Sequence, residues 1–467
     1  MPPAIADGEL ETALEMSAAL RAGDVSAAEL ADRARMRAET WQLATRAFSQ
    51  LWPESEGWAA DGPLAGVPIA VKDLYDVAGR ETSGCCSVYA GRVADRDAVT
   101  TARMRAAGLA MIGKTNQHEL AFGGTNLYSA CGATGNPWDP RRMTGGSSGG
   151  AAAAVAAGIV PFATGSDTGG SIRIPSSLCG TFGLKVTTGS IPIDGLLPLA
   201  PSLDTPGPLA ATAGDLRLLY RVLAGREPFA AEPSDDRSPE DARGLRLGVV
   251  GGYFERNVHP EIRAGVHDVV GAFQGWGASA DAVDGDGIDD SRVVWRTIAS
   301  REFAEAHPAL AGRLDEVLDP AIVRDFTAGL AADPAAAHAA NDRRAEIARW
   351  FAERLTGRDV LVVPSTGYPA PPPEAHELDL GPGGVIDLAR VGPGWLTSAV
   401  NLAGLPAVSL PAGRSSEGLP FGVSLIGPAG SEERLLALAA LWEAGTAYRP
   451  ARPEPPASPT GSGPAPR

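Results

Sequence analysis

The sequence predicts an α/β protein. Apolar runs of strand length alternate with stretches of helical periodicity along the chain. Glycine (57) and proline (39) are both frequent, which suits the many joints such an alternation needs. Hydrophobic residues make up 44% of the 467, enough for a large core.

In chain order, residues 9–22 carry helical apolar spacing that stops at Gly23, and Ser26-Ala-Ala-Glu29 is a capping box that opens a second helix. Gly66-Val-Pro-Ile-Ala-Val-Lys72 reads as a short buried strand with Lys72 at its end. Residues 98–107 predict a helix, 109–112 a strand, and a further helix follows Asn116. The alanine-rich stretch 151–157 predicts a helix and 159–163 a strand. A Gly/Ser/Thr/Asp loop at 164–170 leads to a helix start over 171–179. Residues 230–242 read as a polar loop. Strands are expected at 245–250, 360–363, 407–410 and 423–426, and helices at 338–355 and 432–443. One domain is expected over 1–448, followed by a disordered Pro/Ser/Gly-rich tail at 449–467.

The net charge of −16 repels phosphate backbones and anionic lipid, so neither a direct nucleic-acid partner nor a membrane is expected. The longest small-apolar run, 151–163, is too short to span a bilayer and contains Pro161. Cys85, Cys86, Cys131 and Cys179 form no CxxC, and residues 1–10 lack the pattern of a signal peptide; both suggest a reduced, cytoplasmic compartment. The six histidines are scattered, so no metal is expected. Gly108 to Thr115 formally fits a phosphate loop, but its four middle residues are an apolar strand, so no nucleotide cofactor is expected.

The chemistry is concentrated in Gly145-Gly-Ser-Ser-Gly-Gly150 and Gly165-Ser-Asp-Thr-Gly-Gly-Ser-Ile-Arg173. The first run alone would read as a linker, but it lies between predicted core elements and a second Ser/Gly loop follows it. Glycines let backbone N–H groups approach a substrate oxygen, and a helix start adds partial positive charge. Those are the needs of an oxyanion hole. A serine at the end of such a loop attacks a carbonyl once something removes its proton. No GxSxG elbow stands in a strand–helix context, and no histidine is singled out as a base. Lys72, buried at a strand end, would have its pKa depressed toward neutrality, and Ser-Lys pairs are a variant of triad logic. On the residues alone, an ion pair with Asp73 or Asp76 is the favoured role of Lys72.

These segments resemble the amidase signature hydrolases. The matching stretches are GPLAGVPIAVKDLYDVAG (62–79), IGKTNQHELAFGGTN (112–126), GNPWDP (135–140), the run 145–187 from GGSSGG to GLKVT, NLAGLPAVSLPAG (401–413) and GLPFGVSLIGP (418–428). The likeness is strong over 60–225, clear over 395–445 and weak over 230–390. It implies one large fold with a central mixed β-sheet covered by helices on both faces. It further implies a catalytic set of Lys72, Ser147 in a cis peptide, and Ser171 as nucleophile. Oxyanion donors would come from the backbone of Thr168, Gly169, Gly170 and Ser171, with Ala121 and Gly123 near the acyl site. Asp167 and Arg173 would brace the loop. The implied activity is hydrolysis of a carboxamide C–N bond through an acyl-enzyme. The expected partner is a small-molecule amide, and the expected assembly a homodimer.

Departures matter too. The segment after the nucleophile reads Gly183-Leu-Lys-Val-Thr187, where the family usually has GLKPT. Members that hydrolyse glutamine as amidotransferase subunits carry an aspartate just before their NLAGLP-like segment, whereas Val391-Gly-Pro-Gly-Trp-Leu-Thr397 holds no acid. A stand-alone amidase is therefore expected, with a glutamine-hydrolysing subunit or an inactive scaffold as alternatives.

Overall fold

The computed structural model describes residues 11–56, 60–230, 242–446 and 452–455. One sheet of eleven strands runs through it. In chain order these are β1 (Phe48–Glu56), β2 (Pro68–Lys72), β3 (Ala110–Thr115), β4 (Phe162–Ser166), β5 (Phe182–Lys185), β6 (Pro206–Ala210), β7 (Arg246–Val250), β8 (Ser279–Val283), β9 (Val360–Pro364), β10 (Ala407–Arg414) and β11 (Pro420–Ile426). Their order across the sheet is β1-β3-β2-β4-β6-β5-β10-β11-β9-β7-β8. The sheet is mixed: β2 runs parallel to β3 and β4, β7 parallel to β8 and β9, and the middle pairs are antiparallel. The α/β class read from the sequence and the central mixed sheet implied by the resemblance are both present.

Helices cover both faces. The first four are α1 (Ala13–Ala22), α2 (Ala27–Thr45), α3 (Val99–Ala106) and α4 (Gly149–Ala156). Next come α5 (Arg173–Cys179), α6 (Ala213–Ala224), α7 (Pro260–Gly275) and α8 (Ser291–Ala306). Last are α9 (Pro320–Leu330), α10 (Pro334–Leu355), α11 (Ser398–Leu402) and α12 (Glu432–Gly445). Strand β2 shows how one sequence serves two layers. Its side chains alternate, so Ile69 and Val71 join the core under α6, while Ala70 joins the core under α2 and α4. Small residues suit the second face: Ala151 to Ala154 of α4 are wholly buried there against Ala70 and Ala163. The capping box at Ser26 forms as read, with Glu29 reaching back to the Ser26 N–H at 2.8 Å.

Two expectations are displaced. The strand expected at 159–163 begins at Phe162, because Gly158 turns left-handed (φ +66°) to close α4 and Pro161 has no N–H for a ladder. The helix expected after Asn116 is only one 3-10 turn, Glu119–Ala121. Its side chains fasten elsewhere: the Glu119 carboxylate accepts from the N–H groups of Leu318 and Asp319 at 2.8 and 3.0 Å. The sequence pattern also passed over β1, β5, β6, β8, α6, α7, α8, α9 and α11. Most of the polar loop at 230–242 and of the tail lies outside the described residues; at 452–455, Arg452 packs on Gly158 and Glu11.

Gly150 shows how closely α4 is set. A Cβ there would stand 2.4 Å from the carbonyl oxygens of both Ala47 and Asn116. Gly150→Ala is expected to cost about 1–3 kcal/mol through this backbone clash, read as a lowered urea midpoint. An unchanged midpoint would show that the contact yields freely.

Candidate active site

The parallel pairing of β2 with β4 brings their C-terminal ends to one edge of the sheet, the usual place for a site in such folds. Lys72 ends β2 and Ser166 ends β4. The Lys72 side chain is fully buried, and its Nζ lies 2.7 Å from Ser147 Oγ, 2.9 Å from Ser148 Oγ and 2.8 Å from Ser166 Oγ. No carboxylate pairs with it among the described residues. The ion pair considered from sequence is made instead by Lys114, whose Nζ is 3.6 Å from Asp73 Oδ1, while Asp76 is held by Arg92. Burial pushes the Lys72 pKa down to about 7, against the upward pull of Asp167, Asp204 and Cys85. A lysine amine shared among hydroxyls near neutrality accepts and returns protons readily.

Lys185 is a useful contrast. Burial pushes its pKa down to about 7 as well, but its Nζ donates to the carbonyls of Val186 and Leu405 at 3.0 and 2.9 Å. A carbonyl has no proton to give. The hydroxyl partners, and not the shift, distinguish Lys72.

The Gly146–Ser147 peptide is cis, and it precedes α4. Ser148 N–H donates to the Ser171 carbonyl at 3.2 Å, which joins the two Ser/Gly loops. Lys72 and Ser147 are wholly buried, while Ser171 keeps 8% of its surface, so of the three only Ser171 is open to solvent. Among the described residues the Ser171 hydroxyl makes no hydrogen bond. Apo sites often tighten such contacts only around substrate.

The loop before Ser171 is built on a buried ion pair. Arg173 grips Asp167 with two bonds, Nε–Oδ2 at 3.0 Å and Nη2–Oδ1 at 2.9 Å. Asn401 of α11 donates to the Asp167 carbonyl and carboxylate at 2.9 and 2.8 Å. Burial opposes ionisation of Asp167, but Arg173, with Lys185 and Asn401, overrides it and holds the carboxyl well below the usual range. The Gly170 N–H donates to Asp167 Oδ1 at 2.8 Å, so this amide is engaged in the ground state. The N–H groups of Thr168, Gly169 and Ser171 have no partner among the described residues. Their carbonyl sides are fixed from outside: Trp295 Nε1 donates to Thr168 O at 2.7 Å and Thr397 Oγ1 to Gly169 O at 2.5 Å. Gly170 holds φ +126°, and a Cβ there would fall 2.1 Å from Thr397 Oγ1, so only glycine fits.

Ala121 (φ +59°) and Gly123 sit on the neighbouring loop, and a Cβ on Gly123 would strike the His118 ring at 2.2 Å. Gly124 accepts from Gly146 N–H at 2.8 Å, which ties this loop to Ser147. His118 Nε2 lies 2.9 Å from Asp319 Oδ2, and its Nδ1 accepts from Asn126 N–H at 3.2 Å. This His–Asp pair looks like part of a triad, but both ring nitrogens are occupied in shaping the loop. Among the described residues no cluster of three or more His, Cys, Asp or Glu is set to hold a metal. Lys114 of the formal phosphate loop is buried in β3, donating to Tyr75 O and Thr82 Oγ1.

A family model described as Amidase matches residues 26–436. The chain belongs to the amidase family. This amidase is 34% identical to a glutamyl-tRNA(Gln) amidotransferase subunit of Roseiflexus sp. (strain RS-1), over 93% of this chain and 96% of that protein. Among solved structures, it resembles a chain from a vestigial protein complex tied to the evolutionary origins of an s-triazine catabolic enzyme. That match has 31% identity and a TM-score of 0.85, and covers 95% of this chain and 100% of the other. A glutamyl-tRNA(Gln) amidotransferase subunit from Thermotoga maritima aligns with TM-score 0.80 and 28% identity, over 96% and 98% of the two chains. The amidase is therefore an enzyme acting on amide C–N bonds, on one large fold of this family.

One expectation is corrected by these relatives. A partner set of a small amide alone, without nucleic acid and with at most a second copy, does not stand. Relatives 34% identical over 93–95% of this chain are subunits of assemblies named for a tRNA. The net charge of −16 could not have settled this, because a summed charge does not describe a local face or a partner that supplies its own. No helix among the described residues is long and apolar enough to cross a membrane.

Sequence reasoning missed Trp295, Thr397, Asp204 and Ser166. Trp295 and Thr397 fix the Ser171 loop from more than a hundred residues away. Asp204 accepts from Thr168 Oγ1 at 2.6 Å. Only Ser166, inside the quoted glycine–serine run, carried a signal.

Lys72→Met is expected to lower kcat/KM by about 10²–10⁴-fold, the usual worth of a general base. The wild-type profile is also expected to follow lysine ionisation. Below pH 7 the proton stays on Lys72, so kcat/KM falls about tenfold per pH unit, and above it the rate levels off. A profile flat from about pH 5 to 8 would contradict a lysine base.

Proposed function

We propose that this amidase is the amide-hydrolysing subunit of an amidotransferase-type assembly, freeing ammonia from a small primary carboxamide through an ester on Ser171. The observation that carries the chemistry is Lys72 Nζ, 2.7 Å from Ser147 Oγ and without a carboxylate partner among the described residues. The amidotransferase relatives, matched over 93% of this chain, support the assembly.

Neutral Lys72 takes the Ser147 proton as Ser147 takes the Ser171 proton. Ser171 Oγ bonds to the amide carbon, and the carbonyl electrons move to oxygen, facing the N–H groups of Thr168, Gly169 and Ser171. Gly170 N–H stays with Asp167 and holds the loop. The C–N bond then breaks. The proton on Lys72 returns through Ser147 to nitrogen, which leaves as ammonia. Water attacks the ester, gives its proton along the same relay, and the acid departs as Ser171 regains hydrogen. Ala121 and Gly123 line the approach to the acyl group.

A second reading keeps this chemistry in a stand-alone enzyme whose amide is not glutamine. Its support is Gly394, in the stretch between Val391 and Thr397, which brings no acid to the Ser171 loop to hold an ammonium group.

The test is ammonia release from glutamine and a panel of primary carboxamides, by the chain on its own and by the chain co-purified with a partner protein. Ser171→Ala is expected to lose at least about 10⁴-fold in kcat. A wild-type rate in Ser171→Ala would end the proposal. Release from glutamine only with the partner would favour the amidotransferase reading over the second.

A further inference from the structure

Next to the Ser171 loop stands a cation without a counter-ion. Arg292, on α8, makes no hydrogen bond or ion pair among the described residues. Its guanidinium lies over the Trp295 ring, 4.7 Å from the centroid. Trp295 in turn holds the Thr168 carbonyl. A Cβ built on Gly394 would stand 3.0 Å from Arg292 Nη1 and 3.4 Å from the Gly169 carbonyl oxygen, so the guanidinium, Gly394 and the loop converge. Glycine at 394 leaves that space open.

The nearby acceptors are committed elsewhere. Asp325 is gripped by Arg296, Nε–Oδ1 at 2.8 Å and Nη2–Oδ2 at 3.0 Å. The Tyr253 hydroxyl donates to the Trp395 carbonyl and Tyr368 to that of Val391. Arg292 is half-buried yet densely surrounded by protein, which together with Arg296 lowers its pKa. An arginine in such surroundings stays charged, and its unused N–H donors are not sealed from solvent, so they are open to a ligand.

We propose that Arg292 determines specificity in this amidase, and that the substrate is a small carboxamide bearing a carboxylate, which the guanidinium binds while Ser171 attacks the amide. Guanidinium and carboxylate fit as a two-pronged pair. One cation left without an ion pair among the described residues matches one negative charge. This assignment rests on the amide chemistry proposed for Ser171. It serves glutamine through its carboxylate, but gives no role to an α-ammonium group. An ω-amide without that group is therefore the better ligand.

Calorimetric titration separates the two ideas, because it needs no turnover. The ligands are malonamate, succinamate, glutaramate and glutamine, with pentanamide as the neutral counterpart. The proteins are Ser171→Ala and Ser171→Ala with Arg292→Met or Arg292→Lys. Expected is tighter binding of at least one carboxylate-bearing amide than of pentanamide. Arg292→Met is expected to weaken that binding about 10- to 100-fold, with partial recovery in Arg292→Lys. A purely structural role for Arg292 would weaken pentanamide equally. Binding of no carboxylate-bearing amide, or equal loss for charged and neutral ligands, overturns the assignment. Should Arg292→Met not fold, the preference of Ser171→Ala by itself decides. Failure of the Ser171 chemistry is seen separately, as amide hydrolysis by Ser171→Ala at the wild-type rate.

Discussion

One amine kept out of water governs the arrangement of this site. Lys72 ends a strand whose every residue is buried, and burial alone favours the uncharged amine. Two buried carboxylates pull the other way, and each is occupied. Asp167 is neutralised by Arg173, and Asp204 is held by Thr168 Oγ1 and by the N–H groups of Leu199 and Ala200. An Asp167 charge without Arg173 beside it would pull harder toward a protonated lysine. The ion pair thus serves two ends: it shapes the loop and offsets the Asp167 charge near Lys72. Truncating either partner would leave a buried charge, a change that usually costs several kcal/mol.

The fold supplies this geometry by simple means. Parallel β2 and β4 place Lys72 and Ser166 at one edge. The loop between β4 and α5 carries Ser171, and the one before α4 carries Ser147 and Ser148. Small residues let these loops approach closely, and the polar groups on the remote helices fix them. Trp295 of α8 and Asn401 of α11 both bind the loop backbone, so the site is closed by parts of the chain far from it in sequence. The same remote parts bring Arg292 and Gly394 beside Gly169.

Legibility in the sequence follows this division. The strand ending in Lys72 was readable because its run is apolar and ends in a charge. The glycine–serine loops were readable because few other roles require that composition between core elements. The edge strands were not: Phe48–Glu56 mixes charge and proline, and Ser279–Val283 carries an aspartate and a mostly exposed face. Both edges are defined by pairing to a neighbour, which no local pattern records. Trp295, Thr397 and Arg292 were silent for a related reason. Each acts through a tertiary contact, and two of them lie where the family resemblance is weakest. The partner expectation went astray because a net charge was used to speak for surfaces.

The state of the lysine is open to direct observation. In protein labelled with ¹⁵N at lysine, the Nζ resonance of Lys72, assigned by its loss in Lys72→Met, can be followed by NMR through a pH titration. Deprotonation near pH 7, well below ordinary surface lysines, is the outcome that a neutral base requires. A Lys72 Nζ that keeps its proton to about pH 10 would contradict it, and would leave Ser147 and Ser171 without a base.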